Sequence, residues 1–169
     1  WTAEHAFPRG AEQFERSGSD RSASSEPQLV VTTGRGDLPI DHPALAGSLV
    51  ATTSRGARSV ADRGAGRLEV LDLGDTDEID PRALVVALRE RGHRRILTEG
   101  GPRWMGSMLA AAAVDQLFLT VAPSMLGGGS GHVPLSGERD LRTTDHDARL
   151  IGVRTSADYL FVRYALGER

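Results

Sequence analysis

The residue types and spacing best suited to chemistry stand together at Thr98-Glu99-Gly100-Gly101-Pro102-Arg103. The pattern predicts a strand that ends in a Gly-Gly turn and opens a helix. At a helix start the first N–H groups have no intrahelical acceptor and the macrodipole is positive, so an anion is favoured there. Glycines let a phosphate approach the backbone, and the Arg103 guanidinium adds charge. A tight turn that happens to use two glycines explains the same spacing equally well. No Gly-Lys-Ser/Thr follows, so this is not a P-loop, and it is not a G-x-G-x-x-G dinucleotide turn. Glu99 is expected at the carboxyl end of a central strand, where open α/β sheets place ligands. Its carboxylate can accept hydrogen bonds from a substrate N–H or hydroxyl, or serve as a structural partner for an Arg.

Thr33 and Thr53-Ser54-Arg55 also fall at predicted strand ends, on what should be the same rim, where hydroxyls and a guanidinium suit a phosphate or a ribose. Other clusters are weaker. Asp145-His146-Asp147 reads as a solvated turn, since consecutive residues rarely aim three ligands at one ion. Arg35-Gly36-Asp37 reads as a plain loop. His5, His42, His93 and His132 have no mutually recruiting spacing, and no Ser-His-Asp or Gly-x-Ser-x-Gly arrangement is present. The Gly127 to Gly131 run is either a ligand-covering loop or simply a long one.

The elements that must hold these residues follow from local pattern. Leu29 to Thr33, Leu49 to Thr53 and Leu68 to Leu73 are short β-prone runs ending at polar or Gly residues, as in a covered parallel sheet. Asp80 can cap a helix that has Pro81 in its first position, Leu84, Val85 and Leu88 on one face, and Gly92 as its stop. A further strand is expected over Arg95 to Thr98. The helix after Gly101 should carry Trp104, Met105, Met108, Leu109 and Ala112 on its apolar face. Leu117 to Val121 is the next strand, and Ala148 to Val153 with Tyr159 to Tyr164 form a terminal antiparallel hairpin. Residues 9–27, rich in Gly, Ser, Arg and acidic side chains, read as a mobile tail or long loop.

The 169 residues suit about one domain, and the formal net charge of -3 gives no general basic footprint for nucleic acid. All positive side chains are Arg, and Cys is absent, which excludes disulfides, thiolate metal sites and a Cys nucleophile within this chain. No run approaches the length of a membrane helix, and the first residues lack the apolar core of a signal peptide. A soluble protein is the expectation.

The run Arg94-Arg95-Ile96-Leu97-Thr98-Glu99-Gly100-Gly101-Pro102, followed by Val114-Asp115-Gln116-Leu117 and then Ala122-Pro123-Ser124-Met125-Leu126-Gly127-Gly128, resembles the pyrimidine reductase family of riboflavin biosynthesis. The resemblance extends from about Gln28 to Tyr164. It implies a dihydrofolate-reductase-like α/β fold: a mostly parallel sheet with flanking helices and a C-terminal antiparallel hairpin. It also implies a cytoplasmic enzyme, commonly a homodimer, in which NADPH reduces the ribosylamino group of a pyrimidine phosphate to the ribityl form. On matching positions the family places Glu99 against the substrate. It places Thr33, Gly100, Gly101, Pro102, Arg103, Trp104, Met105, Gly106 and Ser107 at the cofactor, with Glu4 as a weaker cofactor candidate. The partner is then a small-molecule substrate, with no nucleic acid or membrane and no metal.

Family members begin with a strand bearing a Ser-Leu-Asp-Gly-like segment and a later Gly-x-Gly-Thr cofactor turn, which this sequence lacks. The expectation is therefore a fold without its N-terminal strands: residues 1–27 a loop or remnant, residues 28–169 the C-terminal part of a reductase domain. A separate N-terminal polypeptide would complete it. Two alternatives stay open: a reductase of a pterin-like substrate, and a non-catalytic dimerisation or ligand-binding module.

Overall fold

The computed structural model describes residues 27–63, 66, 68–124 and 147–167. They belong to two compact units, one ending at Ile79 and the other beginning at Asp80. The expected mobile tail before residue 27, the Asp145-His146 pair and the Gly127 to Gly131 run lie outside the described residues.

In the first unit, β1 (Val30–Thr33), β2 (Leu49–Thr52) and β3 (Glu69–Asp72) form a parallel sheet in that order, with Thr33, Thr52 and Asp72 in register at one rim. The middle strand has a neighbour on each side, and Leu49, Val50, Ala51 and Thr52 are all 0% exposed. A strand buried this way must be nearly continuous in apolar residues. Its polar member is satisfied: the Thr52 hydroxyl donates to the Thr33 carbonyl at 2.5 Å, which removes the cost of burying it.

Helix α1 (Ser54–Asp62) crosses from β2 to β3 and buries Val60 and Gly56. Thr53 is its N-cap: Oγ1 accepts from the Gly56 N–H at 3.2 Å and donates to the Gly34 carbonyl at 2.7 Å. Gly56 has no room for a side chain, since a Cβ there would lie 1.9 Å from the Thr52 hydroxyl oxygen. The loop after β1 turns at Gly36, whose φ is +73°. Thr33 Oγ1 holds that turn by accepting from the Gly36 N–H at 3.2 Å. Arg63 ties the same loop to the far end of α1, donating to the carbonyls of Gly36 and Leu38. Arg35-Gly36-Asp37 is thus a fastened turn, as its sequence predicts.

In the second unit, α2 (Pro81–Glu90) starts and stops where its residues predict. Asp80 Oδ1 accepts from the Arg82 N–H at 2.9 Å, and Leu84 and Leu88 are buried. At the far end Gly92, with φ +92°, sits in a Schellman closure, its N–H donating to Arg89 and that of His93 to Leu88. Helix α3 (Pro102–Ala110) packs against α2 and buries Met108 and Leu109. It closes by the same two bonds, but the left-handed position is Ala112, at φ +48°. The sequence places Ala112 on the apolar helix face; it lies instead past the C-cap Ala111, where the chain has already turned.

The remaining strands, β4 (Gln116–Val121), β5 (Ala148–Ser156) and β6 (Tyr159–Leu166), form an antiparallel sheet in the order β4-β6-β5. The terminal hairpin is present, with longer strands than the sequence suggests. Its turn is only Ala157-Asp158, at φ +47° and +67°, as a two-residue turn of the I′ kind requires. Leu119, Val121, Leu150, Val153 and Val162 share one face, because opposed residues in the register point the same way. The other face carries Phe118 under the Arg163 guanidinium, which Gln116 also holds at 2.7 Å.

One expected element is absent. Residues 93–101 form neither helix nor strand, so the predicted strand over Arg95 to Thr98 does not exist and Glu99 does not end a central strand. An apolar run becomes a strand only where a neighbour accepts its ladder. Among the described residues none does, and Leu97 is 71% exposed.

Candidate functional site

The entry to α3 is the feature with chemical possibilities. Gly101 is the N-cap and contributes no side-chain cap, Pro102 occupies the first position without an N–H, and the first helical bond runs from the Met105 N–H to the Gly101 carbonyl. The first turn of α3 thus lies at the positive end of the helix dipole, with no side-chain cap from Gly101.

The two glycines here do different jobs. A Cβ on Gly100 would come within 2.2 Å of the indole Cδ1 of Trp104, so the ring itself requires a glycine there. Gly101 has φ -64° and ψ 174°, open to any residue, and a Cβ on it would meet nothing within 4 Å among the described residues. Neither backbone nor packing asks for glycine at 101. What its bare Cα does is leave the helix mouth open, the condition a bulky anion needs. The exposed Glu99 carboxylate precedes this mouth by two residues.

The rest of the expected segment is placed as follows. Trp104 and Met105 are half-buried and Gly106 is buried within α3, while the Ser107 hydroxyl donates to the Arg103 carbonyl at 3.2 Å. Thr33 stands at the rim of the parallel sheet, where Thr53-Ser54-Arg55 follow β2; Glu99, expected on the same rim, ends no strand and belongs to the other unit. The Thr53 hydroxyl is already committed to the cap and to Gly34. Ser54 Oγ donates at 2.8 Å to Asp72, which also accepts from the Gly74 N–H at 2.9 Å. Asp72 is a rim residue that the sequence reading passed over; its signal is a carboxylate at the end of an apolar run, just before Leu73-Gly74. Glu4 lies outside the described residues.

Among the described residues no group of three or more His, Asp or Glu is arranged to hold a metal, and no helix is long and apolar enough to cross a membrane. The concavities at the β5–β6 turn and beside Arg89, Gly92, His93 and Arg94 contain none of the candidate residues.

The family model of the RibD C-terminal domain matches residues 5–157. The chain belongs to that family. The match begins earlier and ends slightly earlier than the resemblance drawn from residue 28 to residue 164, and it upholds membership in the pyrimidine reductase family of riboflavin biosynthesis. Solved structures agree on the fold of this RibD C-terminal domain. A pyrimidine reductase-like protein of Corynebacterium diphtheriae aligns with a TM-score of 0.68 at 22% identity, over 86% of this chain and 63% of that one. RibD of Acinetobacter baumannii aligns with a TM-score of 0.62 at 20% identity, over 83% of this chain and 38% of that one. The domain thus spans less than two thirds of the length of either. No curated protein matches it.

Proposed function

We propose that this RibD C-terminal domain acts in an NADPH-dependent reductase whose substrate is a ribosylamino-pyrimidine phosphate of riboflavin biosynthesis. The observation that carries the reading is the open, uncapped mouth of α3 at a glycine that the fold does not require. NADPH fits this chemistry: its phosphates would be drawn to the positive end of the α3 dipole beside Gly101, with the Arg103 guanidinium adding charge. For Thr33 and Glu4 the cofactor assignment rests on the resemblance. When bound, the cofactor supplies the hydride that opens the ribosyl ring to the ribityl chain. The chain's own part is positional: the Glu99 carboxylate accepts hydrogen bonds from substrate N–H or hydroxyl groups and so fixes the substrate's orientation. A homodimer belongs to the same reading and is checked by sedimentation.

Titration of NADPH against the domain with its N-terminal segment restored, followed by the cofactor's own fluorescence, tests the assignment; no change up to millimolar cofactor overturns it. Gly101→Asp sets a carboxylate against the phosphates and should weaken binding about tenfold or more by like-charge repulsion. Its melting temperature should not fall, because a Cβ there meets nothing within 4 Å among the described residues and Asp is a better N-cap than glycine. Unchanged binding in that variant favours the non-catalytic module instead.

A further inference from the structure

We infer that Trp104 is a positioning residue for Glu99. The inference rests on the reading of Glu99 as a substrate contact. The indole brackets the residue from both sides in sequence: Nε1 donates to Thr98 Oγ1 at 3.2 Å, and the ring lies so close to Gly100 that a Cβ there would fall 2.2 Å from Cδ1. Residues 93–101 have no ladder or helix of their own, so the backbone around Glu99 takes its restraint from such contacts. Trp104 is itself anchored in the first turn of α3, a helix that buries Met108 and Leu109. The bracket therefore transmits the position of a packed helix to an exposed carboxylate.

Three substitutions separate the two halves of the bracket. Trp104→Phe keeps a ring over Gly100 and removes the N–H. Thr98→Val keeps the shape and removes the acceptor, whereas Thr98→Ser retains it. Both of the first two should lower kcat/KM for the pyrimidine substrate by about five- to tenfold, the scale of one neutral hydrogen bond. In Thr98→Val, NADPH affinity should stay within about twofold, and Thr98→Ser should behave as the parent. NMR of the chain without ligands gives an activity-independent readout: the backbone order parameter at Glu99 should drop from about 0.85 toward about 0.6 in Trp104→Phe and Thr98→Val, with α2 unchanged. An unchanged order parameter at Glu99 in both variants overturns the inference. So does a loss of NADPH affinity in step with kcat/KM in Thr98→Val. A fall in the order parameter in a chain that neither binds NADPH nor turns over supports the bracket and removes the functional reading alone.

Discussion

Adjacent glycines at 100 and 101 look alike in the sequence and part company in the structure. Gly100 is pinned by the indole of Trp104, and Gly101 faces open space. Gly100→Ala should accordingly disturb the Glu99 segment, by driving the indole away, while Gly101→Ala should leave the fold as it is. Comparing their melting temperatures and their indole Nε1–H signals by NMR checks this: only the first should shift the signal. The Glu-Gly-Gly-Pro motif was legible as a helix entry because each of its cues is local: proline in the first turn, glycine before it, an apolar face after it. The link from Trp104 to Thr98 was not. It depends on how an irregular loop returns over a helix start, and no periodicity records such a path. The same limit hid the roles of Thr52 and Thr53, whose hydroxyls are committed to carbonyls 19 residues away.

Among the elements, legibility followed the range of the cause. Helix α2 could be read from end to end, since its cap, its first-turn proline and its terminating glycine all act within a few residues. The expected strand over residues 95–98 failed because strand formation needs a neighbour, and a neighbour is not a local property. Helix α3 shows a conflict that its sequence conceals: an alanine in the left-handed position of a Schellman closure, where glycine is free of strain. Ala112→Gly should raise stability by roughly 0.5–1 kcal/mol, measured by urea unfolding, the relief of the left-handed strain exceeding the greater freedom of glycine in the unfolded chain. The hairpin turn offers a parallel case, with Ala157-Asp158 where Asn-Gly is preferred; Ala157→Asn with Asp158→Gly should also raise the unfolding midpoint. In the opposite direction, Gly56→Ala forces a methyl into the Thr52 hydroxyl and should cost about 1–3 kcal/mol, the usual penalty of overpacking.

At the scale of the molecule, each unit has its own sheet, and the two sheets differ in how they are covered. The parallel sheet buries its middle strand completely, whereas Leu150 and Val153 of the antiparallel sheet remain 53% and 51% exposed on an apolar face. A hydrophobic dye should therefore bind the chain, and Leu150→Thr with Val153→Thr should reduce that binding while preserving the β-sheet circular dichroism signal. Membership in the RibD C-terminal domain family settles what kind of domain this is, but a domain can keep its fold after its site has lapsed. The glycine pair offers a historical test of that. Selection for folding alone protects Gly100, which the indole would reject if it changed, and asks at position 101 only for a residue that caps a helix. Lineages that still carry out the reaction should hold both glycines, and lineages that have abandoned it should keep Gly100 while position 101 drifts to capping residues such as Ser, Asn or Asp.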